Sequence, residues 1–142
     1  MPSKNNWDRT FIQIAFDVSE LSKDPSTKVG AVIVSPDNRK FSFGYNGFAR
    51  KLKETKEMWN NRDLKHELVV HAEINAILNT PFDTTDCKIY VTHQPCHRCL
   101  IHIINSGIKE VYYSEPYLKL GFKDIIKKHI PLLKVYKRIK NV

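Results

Sequence analysis

The chain has 142 residues, 42% hydrophobic and 27% charged, a balance that suits one domain with a proper core spanning residues 1–142 and leaves little room for two. No stretch approaches the length of a membrane span, and the opening MPSKNNWDRT lacks the apolar core of an export signal. The three cysteines (Cys87, Cys96 and Cys99) are too few and too odd for a disulfide scaffold, so a reducing, cytoplasmic setting is expected. A formal net charge of +8 attracts phosphates on nucleotides, nucleic acids or membranes without choosing among them, and a merely solvated lysine-rich surface fits it equally well.

Trp7, Phe11, Ile14, Ala15, Val18 and Leu21 recur at helical spacing and predict an amphipathic first helix, broken by DPST. KVGAVIVS (Lys28 to Ser35) is β-rich, PDNR is a turn and KFSFGYN alternates, so the three form a hairpin. GFARKLKETKEMWNNRDLKHE is polar and charged and predicts a long loop with one helical turn, of a length that is often functional in small domains. LVVHAEINAILN predicts a helix, packed through Val69, Val70, Ile74, Ile77 and Leu78. CKIYVT (Cys87 to Thr92) predicts a short strand. HQPCHRCLIHIINSG sets a proline just before a helix that closes on Gly107. IKEVYYS predicts another strand, YLKLGFKDIIKKHI a helix, and LLKVYKRI a last strand or a basic tail. Helices between the later strands imply crossover connections, so an α/β fold is expected: three α/β/α layers around a mixed sheet of about five strands.

Within this pattern His71 and Glu73 stand one residue apart in an apolar segment, where a carboxylate is expensive to bury unless it is paired. Cys96 and Cys99 open a helix three residues apart, so their sulfurs share a face. Free N–H groups at that helix end favour the thiolate form that binds metal. Two thiolates and an imidazole give zinc three ligands and leave a fourth position for water, the arrangement of a catalytic site. Glu73 would then reach that water as a proton carrier and not as a ligand. His93, His97 and His102 are alternative sources of a fourth ligand, which would close the site and make it structural. Taken singly, HAE and CxxC are weak signals. The joint pattern H-x-E, then about twenty residues holding one strand, then P-C-x-x-C opening a helix, is the signature of zinc nucleobase deaminases.

HAEINAIL and PCHRC resemble the zinc-binding halves of the cytidine/deoxycytidylate deaminase superfamily. DPSTKVGAVIV, GYNGF, YVTHQPCHRC and SGIKEVYY are similar to the branch that converts dCMP to dUMP, the precursor of dTMP. The resemblance runs from about Ile14 to Tyr117. It implies a cytidine deaminase-like fold, one Zn2+ per chain on His71, Cys96 and Cys99, and Glu73 as proton shuttle. It places Asn46 on the deoxyribose hydroxyl, Ser26 and Lys28 near the phosphate, and Ala72 and Tyr113 in the same pocket. His66 is the lone histidine between GYNG and HAE, so no second zinc is expected. Many relatives of this kind are homohexamers, activated by dCTP and inhibited by dTTP. This makes Tyr45, Gly47, Phe48 and Arg50 candidates for an effector site, with Mg2+ accompanying a triphosphate. Ala49 stands where the family often has proline, which puts regulation in question.

The mechanism so implied is hydrolysis at C4 of cytosine, with Glu73 passing protons to N3 and to the departing amino group. Lys28 and Arg50 suit a phosphate, and a dCTP substrate would be attracted as well. A tRNA or single-stranded DNA base deaminase is the alternative, favoured by the charge and by the tail KVYKRIKN. It is disfavoured by the lack of an aromatic-and-basic stripe for stacking bases. Deamination of another small heterocycle and a non-catalytic zinc module remain as further readings. Lys123, Lys127, Lys128, Lys134, Lys137, Arg138 and Lys140 read more simply as a solvated face than as a nucleic-acid site.

Overall fold

In the computed structural model, which describes residues 4–116 and 127–140, strand alternation decides the layers. On strand β1 (Gly30–Val34), Ala31 and Ile33 enter one core cluster and Val32 and Val34 another. Side chains along a strand point alternately to opposite faces, so a strand buried at all five positions must be covered on both sides. Helix α1 (Lys4–Ser19) covers one face, laying Phe11, Ile12 and Ala15 against Val32, Val34, Tyr90 and Tyr112. Helices α4 (Ala72–Asn79) and α5 (His97–Asn105) cover the other, where Ala72, Ala76, Leu100 and Ile103 meet Ala31, Ile33, Ile89, Val91 and Val111.

Among the described residues the sheet has five strands, with β1 second from one edge. β2 (Phe41–Tyr45) and β5 (Lys88–His93) flank β1 antiparallel, while β6 (Glu110–Glu115) and β7 (Val135–Arg138) continue parallel from β5. The expected mixed sheet between helical layers is therefore the observed one, and LLKVYKRI supplies an edge strand. The helix expected over YLKLGFKDIIKKHI falls on residues 117–126, outside the described residues, apart from its end, where Ile130–Leu132 forms a 3-10 turn. α1 stops at Ser19, two residues short of Leu21, which is exposed.

Three expectations are revised around the segment that carries His71. The long loop holds two short helices, α2 (Lys56–Asn60) and α3 (Arg62–Leu68). Each starts on a side-chain cap: Thr55 Oγ1 accepts the Met58 N–H at 3.2 Å, and Asn61 Oδ1 accepts the Leu64 N–H at 3.1 Å. The helix predicted from Leu68 begins only at Ala72. Val69 and Val70 are instead strand β4 (Val69–Val70), paired antiparallel with β3 (Gly47–Phe48) through Gly47↔Val70 and Phe48↔Val69. Of the large side chains expected to pack, Ile77 lies against the core cluster, whereas Leu78 is 75% exposed and the buried positions of α4 are Ala72, Glu73 and Ala76. Small residues are needed there because the helix lies directly on β2. A Cβ on Gly44 would sit 2.3 Å from the Ala76 nitrogen.

Candidate active site

His71 is the N-cap of α4, with φ −69° and ψ 153°, and makes no capping bond of its own. This extended backbone answers how residues 71 and 73 serve one cavity: His71 is not yet on the helix, so the helical rule that separates i and i+2 does not apply. Cys96 holds the same position on α5, with φ −67° and ψ 166° and no side-chain cap bond. Two helix N-termini thus come together, each presenting a side chain able to ligate a metal where positive partial charge favours thiolate and carboxylate.

The ligand atoms of His71, Cys96 and Cys99 lie within 4.8 Å of one another. His71 Nδ1 is 3.2 Å from Cys99 Sγ and 3.6 Å from Cys96 Sγ. Zinc–sulfur bonds of about 2.3 Å and zinc–nitrogen bonds of about 2.0–2.1 Å in a tetrahedron require donors roughly 3.5–3.8 Å apart, so this soft donor set suits zinc after small side-chain shifts. Among the described residues this is the one group of three or more such donors. His93, His97 and His102 are not part of it, and His102 Nδ1 lies 2.8 Å from the Arg98 carbonyl on its own helix.

Electrostatics in the cluster follow from one shared proton. The Cys96 thiol is pulled down to about 3, first by the hydrogen bond it accepts from Cys99 and then by His71. The Cys99 thiol is pushed far up by that same bond, by burial and by Glu73. His71 is raised chiefly by its contact with the Cys96 thiolate, against burial. Glu73 is 5% exposed. Burial raises its carboxyl to about 6, partly offset by its own backbone N–H and by His71. A carboxyl poised there can both take and give a proton near neutral pH.

The cluster lies in a cleft of about 520 Å³. Of the residues expected at the substrate, Ser26, Asn46 and Ala72 line it. Lys28 is not among the lining residues, and its Nζ lies 3.7 Å from Glu20. Tyr113 is also absent from the lining, its ring tilted against Tyr136 at 5.4 Å. Tyr45, Gly47, Phe48 and Arg50 come together in a second cleft of about 460 Å³, where Arg50 bonds Asn79.

Sequence reasoning missed several lining residues. Asp24 Oδ1 accepts the Ser26 and Thr27 N–H groups at 2.8 and 3.3 Å and the Lys65 ammonium at 2.7 Å. Asn46 locks the same loop: its Nδ2 donates to Asp24 and to the Thr27 carbonyl, and its Oδ1 accepts the Val29 N–H. Arg62, Lys65 and His66 line the cleft from α3. The polar composition of that segment predicts a loop and so hides their place in the cleft, although Asn61 ahead of Asp63 is a cap signal.

A mixed sheet between helical layers thus carries a His-Cys-Cys cluster able to hold a metal, beside a buried glutamate, where the N-terminal ends of α4 and α5 come together. The chain belongs to the family described as the cytidine and deoxycytidylate deaminase zinc-binding region, whose model matches residues 5–115. A probable deoxycytidylate deaminase of Caenorhabditis elegans is 44% identical over 117 residues, 80% of this chain and 59% of that one. Human deoxycytidylate deaminase is 39% identical over 113 residues, 75% of this chain and 64% of that one. The chain therefore spans about three fifths of the length of these curated relatives. The crystal structure of dCMP deaminase from cyanophage S-TIM5 with dCMP and dUMP superposes with a TM-score of 0.76 at 26% identity, covering 96% of this chain and 99% of that one.

Proposed function

We propose that this protein hydrolyses dCMP to dUMP and ammonia, with one zinc ion on His71, Cys96 and Cys99. The observation that carries the reading is the buried Glu73 carboxyl beside three converging donors suited to zinc. When bound, zinc supplies the Lewis acidity that makes a hydroxide nucleophile available near pH 7. Glu73 takes a proton from the attacking water and delivers it to cytosine N3. It then carries a proton to the 4-amino group, which departs as ammonia. Water's oxygen ends on C4, so the reaction balances as dCMP plus water giving dUMP plus ammonia. Ser26, Asn46 and Ala72 are proposed as nucleotide contacts from their place in the cleft. Asn46 keeps one lone pair of Oδ1 for a sugar hydroxyl. Arg62 and Lys65 offer the phosphate more than Lys28 does. The dCMP and dUMP bound by the cyanophage relative support the monophosphate as substrate.

The second cleft is proposed as an effector site for dCTP or dTTP, supported by Lys23 and Arg50 in its lining. Any Mg2+ would arrive with the triphosphate, because the donor cluster is sulfur and nitrogen, a poor match for magnesium. A homohexamer is proposed by likeness to the family, with exposed Phe41, Phe43 and Leu78 as apolar surface to cover. A reducing, cytoplasmic location is supported by three free thiols, and no described helix is long and apolar enough to cross a membrane. The deciding experiment is ammonia release from purified protein with dCMP, dCTP, CMP, deoxycytidine and single-stranded DNA, each with and without dTTP. Preferential turnover of dCMP is expected, and turnover of the polynucleotide alone would overturn the reading.

A further inference from the structure

Thr92 is 0% exposed, and its hydroxyl has two partners among the described residues. Oγ1 accepts the Gly30 N–H at 3.2 Å, across the β1–β5 pair. It also lies 2.8 Å from Nδ1 of His93. A backbone N–H can only donate, so the Thr92 proton has one place to go, the lone pair of His93 Nδ1. Leaving that proton without an acceptor in a fully buried site is costly, which fixes the direction of the bond. Burial also pushes the His93 pKa down, opposed by Glu115, its register partner on β6. A neutral ring that accepts at Nδ1 carries its proton on Nε2. His93 lines the same cleft as His71, Glu73 and Cys96, and among the described residues Nε2 has no partner.

We infer that His93 is a fixed Nε2–H donor for the 2-oxo group of the substrate's pyrimidine, and that Thr92 is the positioning residue that holds it in this tautomer. The inference rests on the deaminase reading above. A neutral donor matches a neutral carbonyl oxygen, whereas the phosphate has the cations of Arg62 and Lys65 in the same cleft. His93 also precedes Cys96 by three residues and lines the cleft that holds His71, Glu73 and Cys96. A base held through its 2-oxo group presents N3 to Glu73 and C4 to the metal ligands together, because the three atoms share one edge of the ring.

The test has a spectroscopic and a kinetic arm, both on the zinc-loaded protein. Long-range 1H–15N correlation spectra, assigned by loss of signals in His93→Gln, should show His93 protonated at Nε2 and bare at Nδ1. His93→Leu should lower kcat/KM about tenfold, the fold-change expected for one neutral hydrogen bond. The loss should be equal for dCMP and deoxycytidine. His93→Gln, whose Nε2 can replace the donor, should restore most of it. Thr92→Val should mix the tautomers in the spectrum and give a partial loss, and Thr92→Ser should do neither. Zinc content and Tm accompany each variant to separate these effects from misfolding. An Nδ1–H tautomer, an unimpaired His93→Leu, or a loss confined to dCMP would each overturn the inference. A wild type inactive on both substrates would instead sink the deaminase reading, and with it the substrate half of this one; the spectrum decides the tautomer regardless.

Discussion

Glu73 and Asn46 are both polar side chains buried near the metal ligands, at 5% and 7% exposure, and they differ in what burial leaves free. Glu73 meets the thiol of Cys99 and its own N–H and keeps a raised pKa of about 6, so it retains proton-transfer capacity. Replacing it with Gln keeps the shape and removes the exchangeable proton. Glu73→Gln should lower kcat by roughly 10²–10⁴, the usual share of a general acid–base. Zinc content by elemental analysis should stay unchanged. Turnover within a few-fold of wild type would remove Glu73 from the reaction. Asn46 spends both amide hydrogens and one oxygen lone pair on the loop that carries Ser26 and Thr27. Asn46→Ala strips partners from the Val29 N–H and the Thr27 carbonyl and should destabilise by roughly 1–3 kcal/mol in urea unfolding. A stability equal to wild type would show that the network is dispensable. The spacing of His71, Glu73, Cys96 and Cys99 was legible because metal chemistry restricts both residue type and interval. Asn46's role in holding the loop was not, because its partners Asp24 and Val29 lie some twenty residues away in sequence and only tertiary structure joins them.

At the scale of elements, the start of α4 matters more than its length. Composition favours extending that helix back through Val69 and Val70. The pairing of β4 with β3 overrides it, because Gly47 and Phe48 offer backbone partners that no local propensity reveals. That override makes His71 an N-cap and so lets it share a cavity with Glu73. The opposite error fell on α2 and α3, whose five and seven residues are too short for a periodic apolar stripe and are held by their caps. The seat of α4 is equally exact. Gly44→Ala would place a Cβ 2.3 Å from the Ala76 nitrogen and 2.7 Å from the Ala72 oxygen, both backbone atoms that cannot swing aside. The helix must lift, carrying His71 and Glu73 away from the cysteines. We expect a loss of at least about 1–3 kcal/mol, the ordinary cost of overpacking. Zinc occupancy and kcat/KM should fall together. A variant with wild-type Tm and full zinc content would mean that α4 is not so closely seated.

Across the whole molecule, the candidate zinc donors stand at the starts of two helices that share one core cluster, so an ion there would add a tie between α4 and α5 at their N-terminal ends. A ligand that binds only the folded state, present at 100 times its Kd, adds about 2.7 kcal/mol. Chelation should therefore lower Tm by several degrees and abolish activity, with both restored by added zinc. A Tm indifferent to verified metal loss would make the tie unimportant to the fold. Charge acts at this same scale. The formal charge of +8 was legible at once, but its sign alone could not separate a nucleotide enzyme from a nucleic-acid binder. The fold makes the distinction testable, because it brings Arg62, Lys65 and His66 from a segment that read as loop into the cleft with the metal ligands. Lys65 is already engaged by Asp24 at 2.7 Å, which leaves Arg62 as the cation most able to meet a phosphate. If the field of the chain and Arg62 together draw in a phosphate, KM for dCMP must rise with ionic strength, as the screening length shrinks from about 10 Å at 0.1 M salt to about 3 Å at 1 M. KM for deoxycytidine, which has no charge to screen, must stay nearly flat over the same range. Arg62→Gln should raise KM for dCMP several-fold, flatten its salt response and leave deoxycytidine unchanged. Parallel salt curves for the two substrates in the wild type would show that the basic surface serves something other than this substrate.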